Sequence, residues 1–304
     1  MSVRKLWIGI AVGAVGLGSL LWARSKDTTQ SSSANAGNTT QGQGGGSDKT
    51  GWARARRLAS PLDHPKGVAV EGDYAYVVTG GSAKSDNAVL RIGATSGAVE
   101  TLVKVPQVLS GELALDDKYV YFSSFLKQSP GGALLRVAKS GGSTEVLTEG
   151  QAGVDQVVVD AEAAYFRSNS GIWRVSKAGG KAECLLAASP SNNVDRLTAD
   201  STHLYFFQEI GSTGKYAIAR LPKRGGTPET VAPQANPTAR LALSDSHVYY
   251  FRAASLNDDA LAKVLKAGGS PELVDGAGYS TGYLTVSGGD VYFTDVNSLF
   301  RVPK

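Results

Sequence analysis

The feature that most constrains the fold of this chain is a ten-residue block that recurs six times between residues 68 and 293. Each block holds three small or apolar residues, a polar turn that often begins with an acid, and an apolar-aromatic stretch. The ninth residue is a tyrosine in all six blocks, at intervals of 40 to 45 residues: Tyr76, Tyr121, Tyr165, Tyr205, Tyr249 and Tyr292. The pattern predicts that every block is a β-hairpin within one repeated structural unit.

A second predicted hairpin follows each block. Its first strand carries a base before an aliphatic residue, a glycine turn follows, and the returning strand carries an acid. Base and acid are nine residues apart in five repeats: Arg91 and Glu100, Arg136 and Glu145, Arg174 and Glu183, Arg220 and Glu229, and Lys263 and Glu272. This spacing places them opposite each other across the turn, so we expect exposed cross-strand ion pairs with a structural role.

Four strands in a unit of about 43 residues is the period of a β-propeller. The sequence therefore predicts an all-β fold over residues 51–304, a six-bladed β-propeller with four-stranded blades. The sixth repeat ends at Lys304 after its third predicted strand, and residues 53–60 precede the first block at the spacing of a fourth strand. We predict that this N-terminal strand completes the last blade and closes the ring, although Arg56 or Arg57 would then face Arg301, where other repeats have an acid.

The N-terminal region, residues 1–26, reads as a membrane anchor. Residues 6–22 form a run of 17 residues without a charge, which is near the minimum for a membrane-spanning helix. Arg4 and Lys5 precede the run and Trp7 and Trp22 lie near its ends, as interfacial residues do. We expect a single transmembrane helix with a cytoplasmic N-terminus, which places the propeller in the periplasm or outside the cell. A signal sequence that is cleaved, giving a secreted protein, is the alternative.

Residues 27–50 contain no apolar residue larger than alanine, and such a composition predicts a disordered linker. The net charge of the chain is +4, but residues 1–27 carry most of it. The folded part therefore offers no basic face of the kind that nucleic-acid binding requires. The single cysteine, Cys184, excludes an intramolecular disulfide and a cysteine-rich metal site.

Two motifs carry a resemblance to a known group of folds. Residues 292–295 read YFTD, close to the YWTD signature, and residues 134–142 read LLRVAKSGG. The repeats resemble six-bladed propellers of the YWTD, NHL and TolB-like type. That resemblance implies blades and no particular function, because this fold hosts binding scaffolds, lactonases, lyases and envelope assembly factors.

The residues just before each block are predicted to surround one opening of the propeller, here called the mouth. This is the most varied part of the repeat, and mixed charges converging on a concavity are typical of a site for a peptide or another polar ligand. The candidate binding residues are His64, Lys66, Glu112, Asp155, Gln156, Asp195, Arg196, Arg240 and Tyr283. The alternative is that these loop ends are polar only because they are solvated.

The resemblance to lactonase-like propellers implies a further alternative, a divalent cation held in the central channel by Glu112, Asn193 and Asp195. No catalytic residue and no cofactor are predicted. His203 and His247 occupy one surface column of the repeat, and His64 is the histidine expected at the mouth. The first hypothesis is a non-catalytic cell-envelope protein that binds a protein or peptide. A metal-dependent hydrolase or lactonase and an anchored spacer are the alternatives.

Overall fold

The computed structural model describes residues 59, 62, 65–80, 87–93, 95–106, 108–125, 131–189, 193–235, 240–253, 259–279, 284–287, 290–294 and 299–303. The predicted membrane anchor and linker lie outside these residues. No helix in the described ranges is long and apolar enough to cross a membrane.

The described residues form 23 strands in six antiparallel sheets, and within each sheet the strands lie in chain order. The first sheet contains β1 (Gly67–Glu71), β2 (Tyr74–Thr79), β3 (Asn87–Gly93) and β4 (Val99–Val105). The second contains β5 (Val108–Leu115), β6 (Tyr119–Phe125), β7 (Gly132–Ala138) and β8 (Glu145–Gln151). The third contains β9 (Gln156–Val159), β10 (Ala163–Ser168), β11 (Gly171–Ser176) and β12 (Glu183–Ala187).

The second half of the chain repeats this arrangement. The fourth sheet contains β13 (Val194–Ala199), β14 (His203–Glu209), β15 (Tyr216–Pro222) and β16 (Glu229–Ala235). The fifth contains β17 (Ala242–Leu243), β18 (His247–Ala253), β19 (Asp259–Leu265) and β20 (Glu272–Tyr279). The sixth contains β21 (Leu284–Ser287), β22 (Asp290–Thr294) and β23 (Leu299–Pro303). The all-β fold and the four-stranded antiparallel sheets are confirmed, with five sheets of four strands and one of three.

Closure of the ring stays a prediction. Residues 53–60 were expected to supply the missing strand of the sixth sheet, and all of them except Ala59 lie outside the described residues. Ala59 and the nearby Leu62 pack against Ala75, Val77 and Ile92 of the first sheet.

The hydrophobic core lies between neighbouring sheets, because successive side chains of a strand point to opposite faces. Tyr121, the ninth residue of its block, packs with Phe166 of the following sheet. Phe122, the tenth residue, packs with Val89 of the preceding sheet. The same alternation joins the third sheet to the fourth, the fourth to the fifth and the fifth to the sixth. In the second sheet, Tyr121 and Phe122 therefore contribute to the cores on opposite faces.

Neighbouring sheets are also joined by polar bridges at the end opposite the mouth. A lysine beside each glycine turn forms an ion pair with the acid that begins the inner hairpin turn of the preceding sheet: Lys139 with Glu71, Lys177 with Asp116, Lys223 with Asp160, and Lys266 with Asp200. The hydroxyl of the ninth-position tyrosine donates to the same acid in three sheets, from Tyr121, Tyr165 and Tyr205. In the fifth sheet, Ser244 stands where the acid would be.

The glycine turns also reach the sheet before them. Gly141 and Gly142 have φ angles of 82° and 128°, a region that side chains with a Cβ rarely adopt. The amide of Gly142 donates to the carbonyl of Leu102 in the first sheet at 3.2 Å. The tight turn therefore reverses the chain and also forms a hydrogen bond to the neighbouring sheet.

Four of the five predicted cross-strand ion pairs are confirmed, at 2.5 to 3.5 Å: Arg91 with Glu100, Arg136 with Glu145, Arg220 with Glu229, and Lys263 with Glu272. The fifth prediction was wrong. Arg174 lies opposite Glu183 in the register, but its ion pair is with Glu162 at 3.7 Å.

The exception has a local explanation. Arg91 and Arg136 lie over the rings of Tyr74 and Tyr119, at 4.9 and 4.1 Å from the ring centroids, and such cation–π contacts hold a guanidinium in place. Ala163 stands at that position in the third sheet. Without an aromatic ring beneath it, Arg174 pairs with Glu162, the second acid of the inner hairpin turn in its own sheet.

Candidate functional site

A cavity of about 410 Å³ lies where the innermost strands of the sheets converge. Residues of β5, β9, β13, β17 and β21 line it, together with Glu112, Arg196 and Arg240 at its entrance. Each of these strands is paired on one side alone within its sheet. The cavity wall therefore contains free backbone hydrogen-bonding groups as well as side chains.

Two β-bulges shape the entrance. The register of β5 with β6 shifts between Ser110 and Leu113, and the register of β13 with β14 shifts between Asp195 and Thr198. Bulges interrupt strand pairing and redirect side chains, and Glu112 and Arg196 lie within them. Arg196 has a φ angle of 57°, a left-handed conformation that costs a non-glycine residue about 1–2 kcal/mol.

Glu112, Arg196 and Arg240 line the cavity, and the charges of Asp155 and Asp195 act on Glu112. Together with Arg167, which pairs with Asp155, they form a group of three acids and three arginines that we call the mouth cluster: Glu112, Asp155, Arg167, Asp195, Arg196 and Arg240. Arg240 forms an ion pair with Glu112 at 3.1 Å, and both side chains are largely buried. Arg167 donates from Nη1 to Asp155 Oδ2 at 2.7 Å and from Nε to the carbonyl of Val194 at 2.8 Å. Its Nε lies 3.8 Å from Asp195 Oδ1.

Two buried polar atoms of the cluster have no hydrogen-bond partner among the described residues, Nε of Arg196 and Oδ1 of Asp155. Leaving a buried polar atom unsatisfied costs about 1–3 kcal/mol. Such atoms are rare in proteins, and each requires a structural or functional reason.

Comparisons with solved structures address the fold. Nidogen in a nidogen/laminin complex is 16% identical, with a TM-score of 0.56 over 72% of this chain and 86% of that one. An oligogalacturonate lyase from Vibrio parahaemolyticus is 12% identical, with a TM-score of 0.60 over 76% and 74%. A putative TolB from Agrobacterium tumefaciens is 15% identical, with a TM-score of 0.54 over 80% and 91%.

The fold is a β-propeller. No protein-family model matches the chain, and no curated protein matches it either. At these low identities, the likeness to the three propellers concerns the fold and leaves the site to be judged from its own residues.

The structure brings most of the predicted mouth residues of the propeller together. Glu112, Asp155, Asp195, Arg196 and Arg240 belong to the mouth cluster. His64, Lys66, Gln156 and Tyr283 are not members of it.

Gln156 is buried and connects two blades. Its Oε1 accepts from the amide of Leu197 at 2.6 Å, and its Nε2 donates to Asp195 Oδ1 at 3.4 Å. It is 3% exposed and helps to position Asp195; a role in binding stays a prediction. Lys66 Nζ donates to the carbonyl of Leu109 at 3.0 Å, so this lysine braces the start of β5. His64 and Tyr283 lie outside the described residues.

Arg167 is the member of the mouth cluster that the sequence analysis missed. It follows the tenth residue of its block, where the five other repeats have an uncharged residue: Val78, Ser123, Phe207, Phe251 and Thr294. A single charge within an otherwise uncharged column was the signal that could have identified it.

Among the described residues, no group of three or more His, Cys, Asp or Glu side chains is placed to hold a metal ion. The alternative set of Glu112, Asn193 and Asp195 has only two such residues and stays a prediction. Glu112 is engaged by Arg240, and Asn193 is exposed.

Burial acts against the charged form of two carboxyls of the mouth cluster, Glu112 and Asp155. Burial raises the pKa of Glu112, and Arg240 and Arg196 counteract this in part. Burial raises the pKa of Asp155 to about 6, against the opposing effect of Arg167 and with a contribution from the Asp195 charge. Burial disfavours the charged form of a carboxyl, and a neighbouring carboxylate adds to that effect.

The two histidines predicted to be surface residues lie at the opposite end from the mouth. His203 Nδ1 is 2.8 Å from Thr202 Oγ1, and His247 Nδ1 is 2.8 Å from Ser246 Oγ. Each pair joins sequence neighbours in an inner hairpin turn, and the two hydroxyl residues are exposed. These contacts are local turn hydrogen bonds.

Proposed function

We propose that this protein is a non-catalytic binding protein of the cell envelope that recognises a protein or peptide segment at the mouth of its propeller. The observation that carries the proposal is the mouth cluster, in which bulges of two innermost strands hold charged side chains around the entrance of a cavity. Free strand edges inside that cavity suit the backbone of an extended peptide.

Two neighbours in the comparisons are consistent with this proposal. Nidogen was solved as a complex with laminin, and so that propeller protein has a protein partner. The structure of an oligogalacturonate lyase in complex with manganese is also similar to this chain. It is consistent with the alternative of a metal-dependent enzyme. The paired state of Glu112 favours the binding protein, because a cation at the entrance would have to compete with Arg240.

The proposal extends to the whole chain. Residues 6–22 would anchor the protein in the membrane with the N-terminus inside, and residues 27–50 would tether a propeller that faces the periplasm or the cell exterior. The propeller would have six blades, with residues 53–60 completing the last. In support of this closure, Ala59 and Leu62 pack on the face of the first sheet that points away from the second. Cleavage of the N-terminal region as a signal is the alternative.

The test is selection of random peptides displayed on phage against the full chain in detergent micelles. We expect enrichment of peptides whose affinity falls about ten-fold or more on Arg240→Ala, since few residues dominate a typical interface. Arg224→Ala changes an exposed base outside the mouth and serves as the control. Failure to enrich any peptide, or equal binding to both variants, would contradict the proposal.

A second measurement separates the enzyme alternative. Elemental analysis of the purified protein, with thermal unfolding recorded before and after addition of Ca²⁺, detects a tightly held divalent cation. A stoichiometric metal lost on Glu112→Gln would favour the hydrolase over the binding protein.

A further inference from the structure

We propose that the mouth recognises a carboxylate group, with Arg196 as its main ligand and Arg240 as the second, and that Glu112 occupies Arg240 until the ligand binds. This inference rests on the proposed function and names the chemical class of the bound group.

The three arginines of the mouth cluster differ in their hydrogen-bond and ion-pair partners. Arg167 is bound by Asp155 and by the carbonyl of Val194, and Arg240 is bound by Glu112. Arg196 takes part in none of these ion pairs, and its buried Nε has no hydrogen-bond partner in the described part of the chain. An arginine in this state presents donors for an anion from outside the chain.

The backbone of Arg196 is strained. Arg196 holds a left-handed conformation at a bulge, although a glycine there would avoid the strain. Strained non-glycine residues persist where the surrounding structure fixes them, and they cluster at ligand-binding sites. The amide of Arg196 donates to Asp195 Oδ1 at 2.9 Å, which helps to fix this backbone.

The charge of the mouth cluster favours a ligand with a single negative charge. Each acid of the cluster that is ionised repels a ligand with two negative charges more strongly than a ligand with one. A carboxylate carries one negative charge, and its planar pair of oxygens matches the guanidinium group. The observations therefore favour a carboxylate over a phosphate.

The carboxylate can come from the C-terminus of a peptide or from an acidic side chain. Both have the same chemistry at Arg196, and both are compatible with a backbone that lies along the free strand edges of the cavity. The experiment separates the two sources with defined small probes.

The test measures modification of individual arginines by phenylglyoxal in the full chain, followed by peptide mass spectrometry. Three probes are added at equal ionic strength: N-acetyl-triglycine with a free C-terminus, N-acetylaspartic acid α-amide with a side-chain carboxylate, and N-acetyl-triglycinamide with neither. We expect at least one acid probe to slow modification of Arg196 several-fold, while the amide has no effect. Arg224, an exposed base outside the mouth, serves as the internal control.

Each result decides the proposal. Protection by the first acid alone assigns a C-terminal carboxylate, and protection by the second assigns an acidic side chain. Equal rates with acid and amide probes overturn the proposal, as does equal protection of Arg224. Failure of Arg196 to react in the free protein also overturns it, because the guanidinium would then be inaccessible from the cavity.

A second measurement keeps failure of this inference distinct from failure of the proposed function. The affinity of peptides from the display selection is measured before and after amidation of all their carboxyl groups. Both forms are measured with the wild-type protein and with the Arg196→Ala variant. Loss of about ten-fold in affinity on amidation, absent in Arg196→Ala, supports the inference. Peptides that bind the mouth equally well in both forms overturn it and leave the binding function standing.

Discussion

At the scale of single residues, Tyr121 shows what the tyrosine at the ninth position does in the second, third and fourth sheets. Its ring is buried between two sheets, and its hydroxyl donates to Asp116 Oδ2 at 2.7 Å. Lys177 of the next sheet lies over the ring, at 5.7 Å from the centroid, and forms an ion pair with the same acid. Phenylalanine could fill the space but would leave the acid with one partner fewer.

The first prediction compares two tyrosines in equivalent positions. Tyr121→Phe removes the hydrogen bond to Asp116 and should lower the free energy of unfolding by about 1–2 kcal/mol. Tyr249→Phe is the matched control, because Ser244 replaces the acid in that sheet, and it should cost less. Urea denaturation of both variants measures the difference. Equal destabilisation would contradict a role for the hydroxyl–acid contact.

The second prediction concerns the strained backbone at the mouth. Arg196→Gly should be more stable than Arg196→Ala by about 1 kcal/mol, because glycine adopts a φ angle near 57° without strain. Thermal unfolding of the two variants measures the difference. An alanine variant as stable as the glycine variant would show that the bulge relaxes when the side chain is removed.

The third prediction concerns Asp155, whose pKa is raised to about 6 by burial. The folded protein then binds a proton more tightly than the unfolded chain, so stability is highest below the unfolded pKa of about 4 and falls as the pH rises through 6. Asp155→Asn should flatten this decline by about 1 kcal/mol, since the carboxyl is partly exposed. Urea denaturation at pH 4, 5, 6 and 7 measures the slope. A slope unchanged in the variant would assign the decline to another group.

At the scale of elements, each glycine-turn hairpin contributes to the stability of the sheet before it. For Asp160, burial alone would raise the pKa, but the amides of Ala163 and Glu162 and the donors of Lys223 and Tyr165 outweigh it and lower the pKa to about 2. The same balance holds the pKa of Asp116 and of Asp200 well below the usual range.

The fourth prediction follows from this lowered pKa. Stability from the Asp160 carboxylate is present above the unfolded pKa of about 4 and is lost as the pH falls through 2. Asp160→Asn should therefore cost about 1–2 kcal/mol at pH 6 and almost nothing near pH 2. The exposed Asp245→Asn serves as the control. Denaturation curves across this range would contradict the prediction if the cost of Asp160→Asn were the same at every pH.

These elements also show what sequence could predict. Partners within one hairpin follow from spacing, as the nine-residue base–acid intervals did for four pairs. The lysine bridges were missed because their partners lie in the preceding repeat, 63 residues away for Lys223 and Asp160, and no spacing rule links two sheets. Arg174 departed from the pattern because a neighbouring aromatic was replaced by Ala163.

The candidate site was predictable in part for the same reason. The position before each block identified Glu112, Asp155, Asp195, Arg196 and Arg240. Which charges pair with each other depends on bulges and on the convergence of sheets distant in sequence. The role of Arg167 and the unsatisfied Nε of Arg196 therefore became visible only in three dimensions.

At the scale of the whole molecule, the first sheet has an unusual inner strand. Val70 on β1 is 67% exposed, whereas the equivalent Leu115, Val159 and Ala199 are partly covered. The side of this sheet that points away from the second sheet contacts Ala59 and Leu62. If residues 53–60 complete the sixth blade as proposed, that blade would lie next to this side of the first sheet.

The fifth prediction tests that closure by truncation. Removal of residues 1–50 should leave the thermal midpoint of the propeller unchanged. Removal of residues 1–60 should lower it by about 5 °C or more, because a blade would lose its outer strand. Differential scanning calorimetry of both truncated proteins measures the midpoints. Equal midpoints would show that residues 51–60 do not belong to the ring.

The lysine bridges run in one direction, from each sheet to the one before it, and Ser244 interrupts the series at the joint between the fifth and sixth sheets. Among the described residues, the joint between the fifth and sixth sheets thus has no lysine bridge, and we expect local unfolding to open it first. In the proposed closed ring, release of the C-terminal sheet would leave the other sheets joined and open the channel along its length. A long chain could then enter from the side, without threading an end through the mouth.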